Sequence, residues 1–184
     1  MILSNPFALS VMSEANEVEA QVPRLRPLSR RPRGAGRMPA EQAIALLQTA
    51  LAIEIVCVWR YTMISVSVAG LADAAVGAEF QEQANDERRH MRVLAERITD
   101  LGGTPDFSAE RLTSRTGLEY GAADDLAAMV AQNLAAEQSA IEHYRDLIPY
   151  FEGADPATCR ILESILLDEE NHADDMQDLL DTRN

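Results

Sequence analysis

The sequence is poor in several residue types, and each shortage narrows the range of functions. Its 184 residues include no lysine, so all 16 basic residues are arginines, and the formal net charge is −14. An acidic protein attracts cations and repels nucleic acid. Aromatic residues make up only 5% of the chain, whereas alanine and leucine recur throughout, which favours helices over strands. The composition therefore predicts an all-α protein.

The two cysteines, Cys57 and Cys159, are too few and too far apart for a cysteine-based metal module. No Cys-x-x-Cys pair is present, which excludes a rubredoxin-like or zinc-ribbon element. We interpret both as buried thiols of a cytoplasmic protein. No continuous apolar run has the length of a membrane span, and the N-terminus lacks the pattern of a secretory signal, so no membrane association is expected.

Residues 1–38 differ in composition from the rest of the chain. Six arginines against three glutamates give this segment a net charge of +3, which leaves −17 for the remainder. The segment is also rich in proline and glycine and shows no hydrophobic periodicity, so we predict a disordered Arg/Pro-rich tail. A single domain of residues 39–184 is expected to follow it.

Four long segments of that domain have helical periodicity and end at glycine or proline. They cover about residues 40–68, 74–101, 123–151 and 156–181. Short loops join the first to the second and the third to the fourth, so each pair is expected to be antiparallel. The connection over residues 102–122 is long enough to run along a four-helix bundle, and it would leave the second and third helices parallel.

The two halves of the helical region repeat one pattern. Glu54 in the first helix and Glu137 in the third are each followed by a tyrosine seven residues later, Tyr61 and Tyr144. The second and fourth helices each carry one Glu-x-x-His motif, formed by Glu87 with His90 and by Glu169 with His172. The single and the paired glutamate are 33 residues apart in one half and 32 in the other. Such agreement indicates an internal repeat.

The repeated residues have the chemistry of a metal pair. A Glu-x-x-His motif places a carboxylate and an imidazole one turn apart on the same helix face. Glu54 interrupts an apolar run, where only a bound partner makes a carboxylate tolerable. Four carboxylates balance the charge of two divalent ions, and such bundles hold di-iron or di-manganese pairs. We therefore predict a catalytic di-iron centre, with manganese as the alternative metal, on Glu54, Glu87, His90, Glu137, Glu169 and His172.

Residues near the six predicted ligands are interpreted mainly as packing, surface or interface residues. His143 lies six positions after Glu137 and so points away from that glutamate's face, which predicts a surface or interface position. Packing is the simplest role for Tyr144, although Tyr61 and Tyr144 could each hydrogen-bond a ligand carboxylate or relay an electron. Trp59 is expected in the core or at a subunit interface.

At these residues the sequence resembles the bacterioferritin and Dps-like branch of the ferritin superfamily, over residues 41–180. The resemblance implies a ferritin-like four-helix bundle with two iron ions inside each subunit. It also implies ferroxidase activity in a hollow homo-oligomer, where Fe(II) is oxidised with oxygen or hydrogen peroxide. That activity would serve iron storage, detoxification and protection against oxidative stress.

Two departures from the bacterioferritin pattern refine this expectation. Bacterioferritins bind haem through a methionine just after the second-helix glutamate, but Arg88 occupies that position, so haem is not expected. The chain ends twelve residues after His172, which leaves no room for the fifth helix of a 24-subunit cage. A twelve-subunit shell is therefore favoured.

Other functions on the same bundle stay open at this stage. One alternative is a rubrerythrin-like peroxidase or a di-manganese catalase, although the missing rubredoxin module counts against the former. The other is a Dps-like DNA-protecting shell, in which the six tail arginines would neutralise phosphates. The −17 charge of the remaining chain counts against DNA binding.

Overall fold

Every regular element that the structure describes is a helix. The computed structural model describes residues 38–69, 74–116 and 125–182. Its elements are α1 (Ala40–Ala69), α2 (Ala74–Asp100), a 3-10 turn (Ala109–Arg111), α3 (Leu112–Thr116), α4 (Leu126–Phe151) and α5 (Pro156–Asp181). The all-α prediction is confirmed, and the four long helices begin and end within three residues of the predicted bounds.

Aspartate caps determine where the second pair of helices begins. Asp125 precedes α4, and its carboxylate accepts a hydrogen bond of 2.9 Å from the amide of Ala128. Asp155 precedes α5 and accepts one of 3.2 Å from the amide of Thr158. Such caps satisfy amides that have no partner within the helix. The cap explains why α4 begins at Leu126 and not near residue 123.

The turn after α2 depends on two consecutive glycines. Gly102 has a φ of +87°, a left-handed conformation that side chains rarely adopt. A Cβ atom on Gly103 would lie 3.0 Å from side-chain atoms of Ile44 and Ile98. The backbone therefore reverses direction directly against the core, between the start of α1 and the end of α2.

The long helices pack as two pairs, α1 with α2 and α4 with α5. The connections within each pair are short, so each pair is antiparallel, as predicted. α1 also runs antiparallel to α4. Tyr144 contacts Glu54, whereas Arg60, later in α1, contacts Asn133, earlier in α4. Because α1 is antiparallel to both α2 and α4, these two helices are parallel. This arrangement confirms the predicted crossover.

The crossover is attached to α1 by polar contacts. The side chain of Gln48 donates to the carbonyl of Thr104 at 2.7 Å and accepts from the amide of Asp106 at 2.9 Å. Arg115 donates to the carbonyl of Asp106 at 3.1 Å. These contacts join the connection to the first third of α1, and they hold the short helix α3 there, which the sequence analysis did not predict.

α1 is the most apolar helix of the bundle. Within the described residues, the segment Ala40–Val68 is long and apolar enough to cross a membrane by length and composition. The sequence analysis did not expect such a segment, because it considered only uninterrupted apolar runs. In the bundle, 56% of its apolar window is buried inside the protein. The charged residues in its middle, Glu54 and Arg60, are 0% and 4% exposed. A helix at the centre of a bundle needs this composition because it is covered on several sides.

The predicted tail lies outside the described residues, apart from its last residue. Met38 is 6% exposed and packs into the hydrophobic core. The hypothesis that tail arginines bind DNA therefore concerns residues that the structure does not describe. The same is true of Gly70, the predicted end of the first helix.

Candidate metal centre

The structure brings together the six residues predicted to bind metal. Each is at most 4% exposed, although all six are polar. Their ligand atoms form two overlapping groups, within each of which the atoms lie within 4.8 Å of one another. Position A is defined by Glu54, Glu87, His90 and Glu169. Position B is defined by Glu87, Glu137, Glu169 and His172. The two positions therefore share a pair of carboxylates.

Each long helix contributes to this cluster. Glu87 and His90 are three residues apart on α2, so both side chains face the bundle interior, and the corresponding pair on α5 does the same. The unpaired glutamates come from α1 and α4. The convergence follows from the internal repeat, because each half supplies one single glutamate and one Glu-x-x-His motif.

The imidazoles lie between the carboxylates. Nδ1 of His90 is 3.1 Å from Glu169 Oε1, 3.3 Å from Glu54 Oε2 and 3.5 Å from Glu87 Oε2. Nδ1 of His172 is 3.1 Å from Glu87 Oε1 and 3.9 Å from Glu169 Oε2. In both positions the same ring nitrogen therefore points at the carboxylates with which it would share an ion.

Two aspartates orient the histidines from the far side of each ring. Nε2 of His90 is 3.0 Å from Asp168 Oδ2, and Nε2 of His172 is 3.6 Å from Asp86 Oδ2. A carboxylate on one ring nitrogen fixes the tautomer and leaves the other nitrogen for a metal. Each aspartate directly precedes the glutamate of its own motif and pairs with the histidine of the other half. The sequence analysis missed both, although the repeat Asp-Glu-x-x-His contained the signal.

Burial and then mutual repulsion raise the pKa values of Glu87 and Glu137. Burial, followed by the charges of Glu169 and Glu54, raises the pKa of Glu87 to about 8. Burial and then the charge of Glu169 raise the pKa of Glu137 well above its usual range. Burial would also raise the pKa of Glu54, but contacts led by His90 hold it below its ordinary value. In the metal-free protein, protons therefore neutralise part of the cluster.

Burial has the opposite effect on the pKa of the two site histidines, because it lowers the pKa of an imidazole and raises that of a carboxyl group. Burial would lower their pKa values, but the close contacts with the surrounding carboxylates outweigh it. Glu169, Glu54 and Glu87 raise the pKa of His90, and Glu87 raises the pKa of His172 to about 9. Both imidazoles are therefore cationic at neutral pH in the metal-free protein.

The donor set fits a pair of divalent cations. Most of the buried side-chain polar atoms that lack a hydrogen-bond partner among the described residues belong to this cluster. They are Glu54 Oε2, both carboxylate oxygens of Glu87, Glu137 and Glu169, and Nδ1 of His90 and His172. Carboxylate and imidazole are ligands that divalent iron and manganese accept. Two such ions would match the charge of the four carboxylates and satisfy these atoms.

Tyr144 contacts a residue of the cluster, so its interpretation as a packing residue was wrong. Its hydroxyl donates a hydrogen bond from α4 to Oε1 of Glu54 on α1. Tyr61, the equivalent tyrosine, is fully buried, but its hydroxyl has no partner among the residues that the structure describes. Its ring packs against Phe80 and the edge of His172, with centroids 5.9 and 6.5 Å apart.

His143 is 4% exposed, so its predicted surface position was wrong. The prediction considered only the face of Glu137 on the same helix. The ring of His143 lies 6.1 Å from that of Tyr144 and is within range of the charge of Glu54 on α1. Burial lowers the pKa of His143 to about 4, so this imidazole is neutral. Trp59 is 44% exposed, which rules out a core position and leaves the predicted interface position as a prediction.

Both cysteines and Arg88 lie within the described residues. Cys57 and Cys159 are buried free thiols, as predicted. Burial, followed by the charges of the cluster's four glutamates, raises the pKa of Cys57. Arg88, at the position of the haem-binding methionine, donates a 2.7 Å hydrogen bond to Thr62 Oγ1. The expectation that the protein binds no haem stays a prediction.

An acidic depression between α2 and α5 borders the cluster at His172. This vestibule has a volume of about 130 Å³ and is lined by Glu79, Glu82, Gln83, Asp86, Asp168, Asn171, His172 and Asp175. Of the six cluster residues, His172 alone lines it. Burial and then the charges of Asp175 and Glu82 raise the pKa of Glu79, which reflects a concentration of negative charge. Such a depression draws cations from solution.

Comparisons with known proteins agree with this geometry. A model of the ferritin-like domain family matches residues 44–184. The chain belongs to this ferritin-like family. A similar solved structure is a dodecameric thioferritin, the bacterioferritin-related protein from Bacteroides fragilis, which is 30% identical with a TM-score of 0.74. The match covers 79% of this chain and 88% of that one.

A comparison with curated protein sequences gives no match. The predicted membership of the ferritin superfamily and the ferritin-like fold class are confirmed. Assignment to a Dps-like branch within the superfamily stays a prediction.

The metal-free protein is expected to lose stability as the pH rises. Glu87 and His172 have pKa values of about 8 and about 9, above their ordinary values of 4.5 and 6.5. A group with a raised pKa contributes stability that is complete below the ordinary value and lost as pH rises through the folded-state value. Within that window, each group that holds a proton in the folded state but not in the unfolded state lowers the free energy of unfolding by about 1.4 kcal/mol per pH unit. Denaturant unfolding at several pH values between about 6 and 8, with a chelator present, measures the slope.

Two variants make this measurement specific to the cluster. Glu87→Gln removes one titrating carboxyl and the main group that raises the pKa of His172, so its slope should be shallower. Glu142→Gln changes an exposed glutamate on α4 and should keep the slope of the unmodified protein. A metal-free protein whose stability is constant or increases over this range would contradict the electrostatic account.

Proposed function

We propose that the chain is a ferroxidase, which binds two Fe(II) ions in positions A and B and oxidises them with oxygen or hydrogen peroxide. The observation that carries the proposal is the buried cluster of four glutamates and two histidines, whose inward ligand atoms lack other partners. Membership of the ferritin-like family supports iron as the metal. Iron storage, detoxification and protection against oxidative stress follow as the physiological role.

The residues around the cluster have separable tasks. The acidic vestibule concentrates cations at the side where His172 is reached from solution. Glu87 and Glu169 belong to both groups of ligand atoms, so they would help to hold either ion. Asp86 and Asp168 keep the imidazole Nδ1 atoms directed inward. Each of the six cluster residues is at most 4% exposed, so the ligands have little contact with bulk water.

Proton release accompanies loading of the cluster. The raised pKa values of Glu87, Glu137 and both histidines mean that protons occupy the site before metal binds. Ligand atoms must be deprotonated to bind a metal, so each arriving ion displaces protons and binds more tightly as the pH rises. Oxidation of two Fe(II) ions to Fe(III) would release two electrons, which with two protons reduce oxygen to hydrogen peroxide or hydrogen peroxide to two water molecules.

Replacing a shared ligand should abolish rapid iron oxidation. Glu87→Gln keeps the shape of the side chain but removes a carboxylate from both positions. The initial rate of Fe(III) formation, followed by absorbance at low iron-to-protein ratio, should fall by at least about tenfold. Glu96→Gln is the matched control, because Glu96 is 60% exposed on the same helix and pairs with Arg92.

The same assay separates ferroxidase activity from its alternatives. Wild-type rates with Glu87→Gln would contradict the assignment of this cluster. Turnover of hydrogen peroxide without net Fe(II) oxidation, together with manganese in the purified protein, would instead indicate the catalase alternative. The ferroxidase proposal expects iron in the purified protein and oxidant consumption that scales with the Fe(II) added.

A twelve-subunit assembly is the second part of the proposal. The similar thioferritin is described as dodecameric and matches this chain over 79% of its length. α1 also presents exposed apolar side chains, Trp59 at 44% and Val66 at 70%, that a neighbouring subunit would cover. Light scattering should give a mass of twelve 20.2 kDa chains. A monomeric protein, or a mass of twenty-four chains, would contradict this assembly.

A further inference from the structure

One arginine contacts both of the aspartates that orient the site histidines. Nη1 of Arg89 is 2.5 Å from Asp86 Oδ1, on the preceding turn of α2, and its Nη2 is 3.1 Å from Asp168 Oδ2 on α5. A planar guanidinium presents several N–H groups in a rigid fork and can bind two carboxylates at once, whereas an ammonium is a single point charge. Arg89 therefore joins the two helices that carry the Glu-x-x-His motifs.

These contacts form a continuous chain between the two imidazole rings. Asp86 uses Oδ1 for Arg89 and Oδ2 for Nε2 of His172, at 3.6 Å. Asp168 uses the same oxygen, Oδ2, for Arg89 and for Nε2 of His90, at 3.0 Å. A displacement of the guanidinium would therefore disturb the contacts of both histidines.

The internal repeat supplies this arginine in one half only. Arg89 directly precedes His90, whereas Asn171 directly precedes His172 at the equivalent position of the other half. An asparagine side chain carries no charge with which to pair an aspartate. The second half therefore has no equivalent residue that could compensate for the loss of Arg89.

The ion pairs of Arg89 lie where they add little to the stability of the fold. The side chain of Arg89 is 56% exposed, and those of Asp86 and Asp168 are 30% and 31% exposed. Ion pairs at such exposure contribute little to the free energy of unfolding. Both aspartates also line the acidic vestibule, and without a cation between them they would repel each other and turn towards solvent. Arg89 thus affects the orientation of the aspartates more than the stability of the bundle.

We propose that Arg89 is a positioning residue for metal binding: its guanidinium holds Asp86 and Asp168 against the outer nitrogens of the two rings, and so keeps both Nδ1 atoms directed at the ions. The inference rests on the proposed function, because it requires the cluster to bind metal. Its consequence is opposite in sign to that of charge alone. Loss of a cation beside an acidic site would strengthen the binding of divalent ions by Coulomb attraction, whereas loss of a positioning residue weakens it.

Calorimetric titration of the metal-free full chain with cobalt(II) distinguishes these two effects. Arg89→Gln should weaken cobalt(II) binding by at least about tenfold, because the histidines lose their fixed orientation. Arg92→Gln is the matched control, since it removes the same charge from the same helix at a side chain that is 77% exposed and pairs with Glu96. This control should keep the wild-type affinity. An Arg89→Gln variant that binds cobalt(II) as tightly as the wild-type protein, or more tightly, would overturn the inference.

A double-mutant cycle tests whether Arg89 acts through the aspartates. In a protein that already carries Asp86→Asn and Asp168→Asn, the guanidinium has no carboxylate to hold, so adding Arg89→Gln should change the cobalt(II) affinity by less than about twofold. If Arg89→Gln weakens binding in this background as much as in the wild-type protein, Arg89 does not act through the aspartates and the inference is wrong.

Stability measurements separate positioning from a general structural role. Denaturant unfolding of the metal-free protein should give nearly the same midpoint for Arg89→Gln and for the wild-type protein, because the lost ion pairs are exposed. Arg89→Lys is the milder change, which keeps the charge but loses the fork. It should show a smaller loss of cobalt(II) affinity than Arg89→Gln, and it decides the question if Arg89→Gln does not fold. Wild-type affinity in Arg89→Lys would then contradict the positioning role.

The outcomes also separate this inference from the proposed function. A wild-type protein that binds no cobalt(II) in the cluster would refute both. A wild-type protein that binds cobalt(II) there, with an affinity that Arg89→Gln leaves unchanged, would refute the role of Arg89 and leave the metal centre intact.

Discussion

The burial of four carboxylates within a few ångströms of one another is the constraint on which the rest of this structure depends. Like charges in a low-dielectric interior repel strongly, and each unpaired buried ion costs several kcal/mol. The metal-free chain tolerates them because histidines with raised pKa values lie between the carboxylates, and because the pKa values of Glu87 and Glu137 are raised as well. Protons offset the repulsion between the carboxylates less completely than two divalent ions would. The same feature thus limits the stability of the bundle and gives it metal affinity.

The bundle accommodates the four buried carboxylates through approximate two-fold symmetry. Each half contributes a single glutamate, a Glu-x-x-His motif and an aspartate, and the halves support each other crosswise. Asp168 orients His90, Asp86 orients His172, and Tyr144 reaches across to Glu54. The crossover between α2 and α4 makes this possible, because it allows the second hairpin to face the first. The symmetry is incomplete at Arg60 and His143, the buried residues that precede the tyrosines of the two halves.

The sequence was sufficient to predict the four long helices, the crossover and the convergence of six side chains, because glycines, prolines and a repeated motif mark them. It was not sufficient for contacts between helices. His143 was placed at the surface from its spacing to Glu137 on the same helix, but its burial depends on α1. The sequence analysis did not single out Asp86 and Asp168, because many other residues are acidic. The short helix α3 depends on contacts between residues that are far apart in the chain, such as Gln48 and Asp106.

The central claim is that the buried carboxylates are retained because they bind a pair of divalent ions. Anaerobic equilibrium dialysis of the metal-free protein against Fe(II), followed by elemental analysis, tests it most directly, since it counts bound ions without requiring oxidation. The account predicts saturation at two ions per chain at micromolar free iron, with protons released on binding. A protein that binds no iron at these concentrations, or only a variable number of weakly held ions that salt removes, would contradict it.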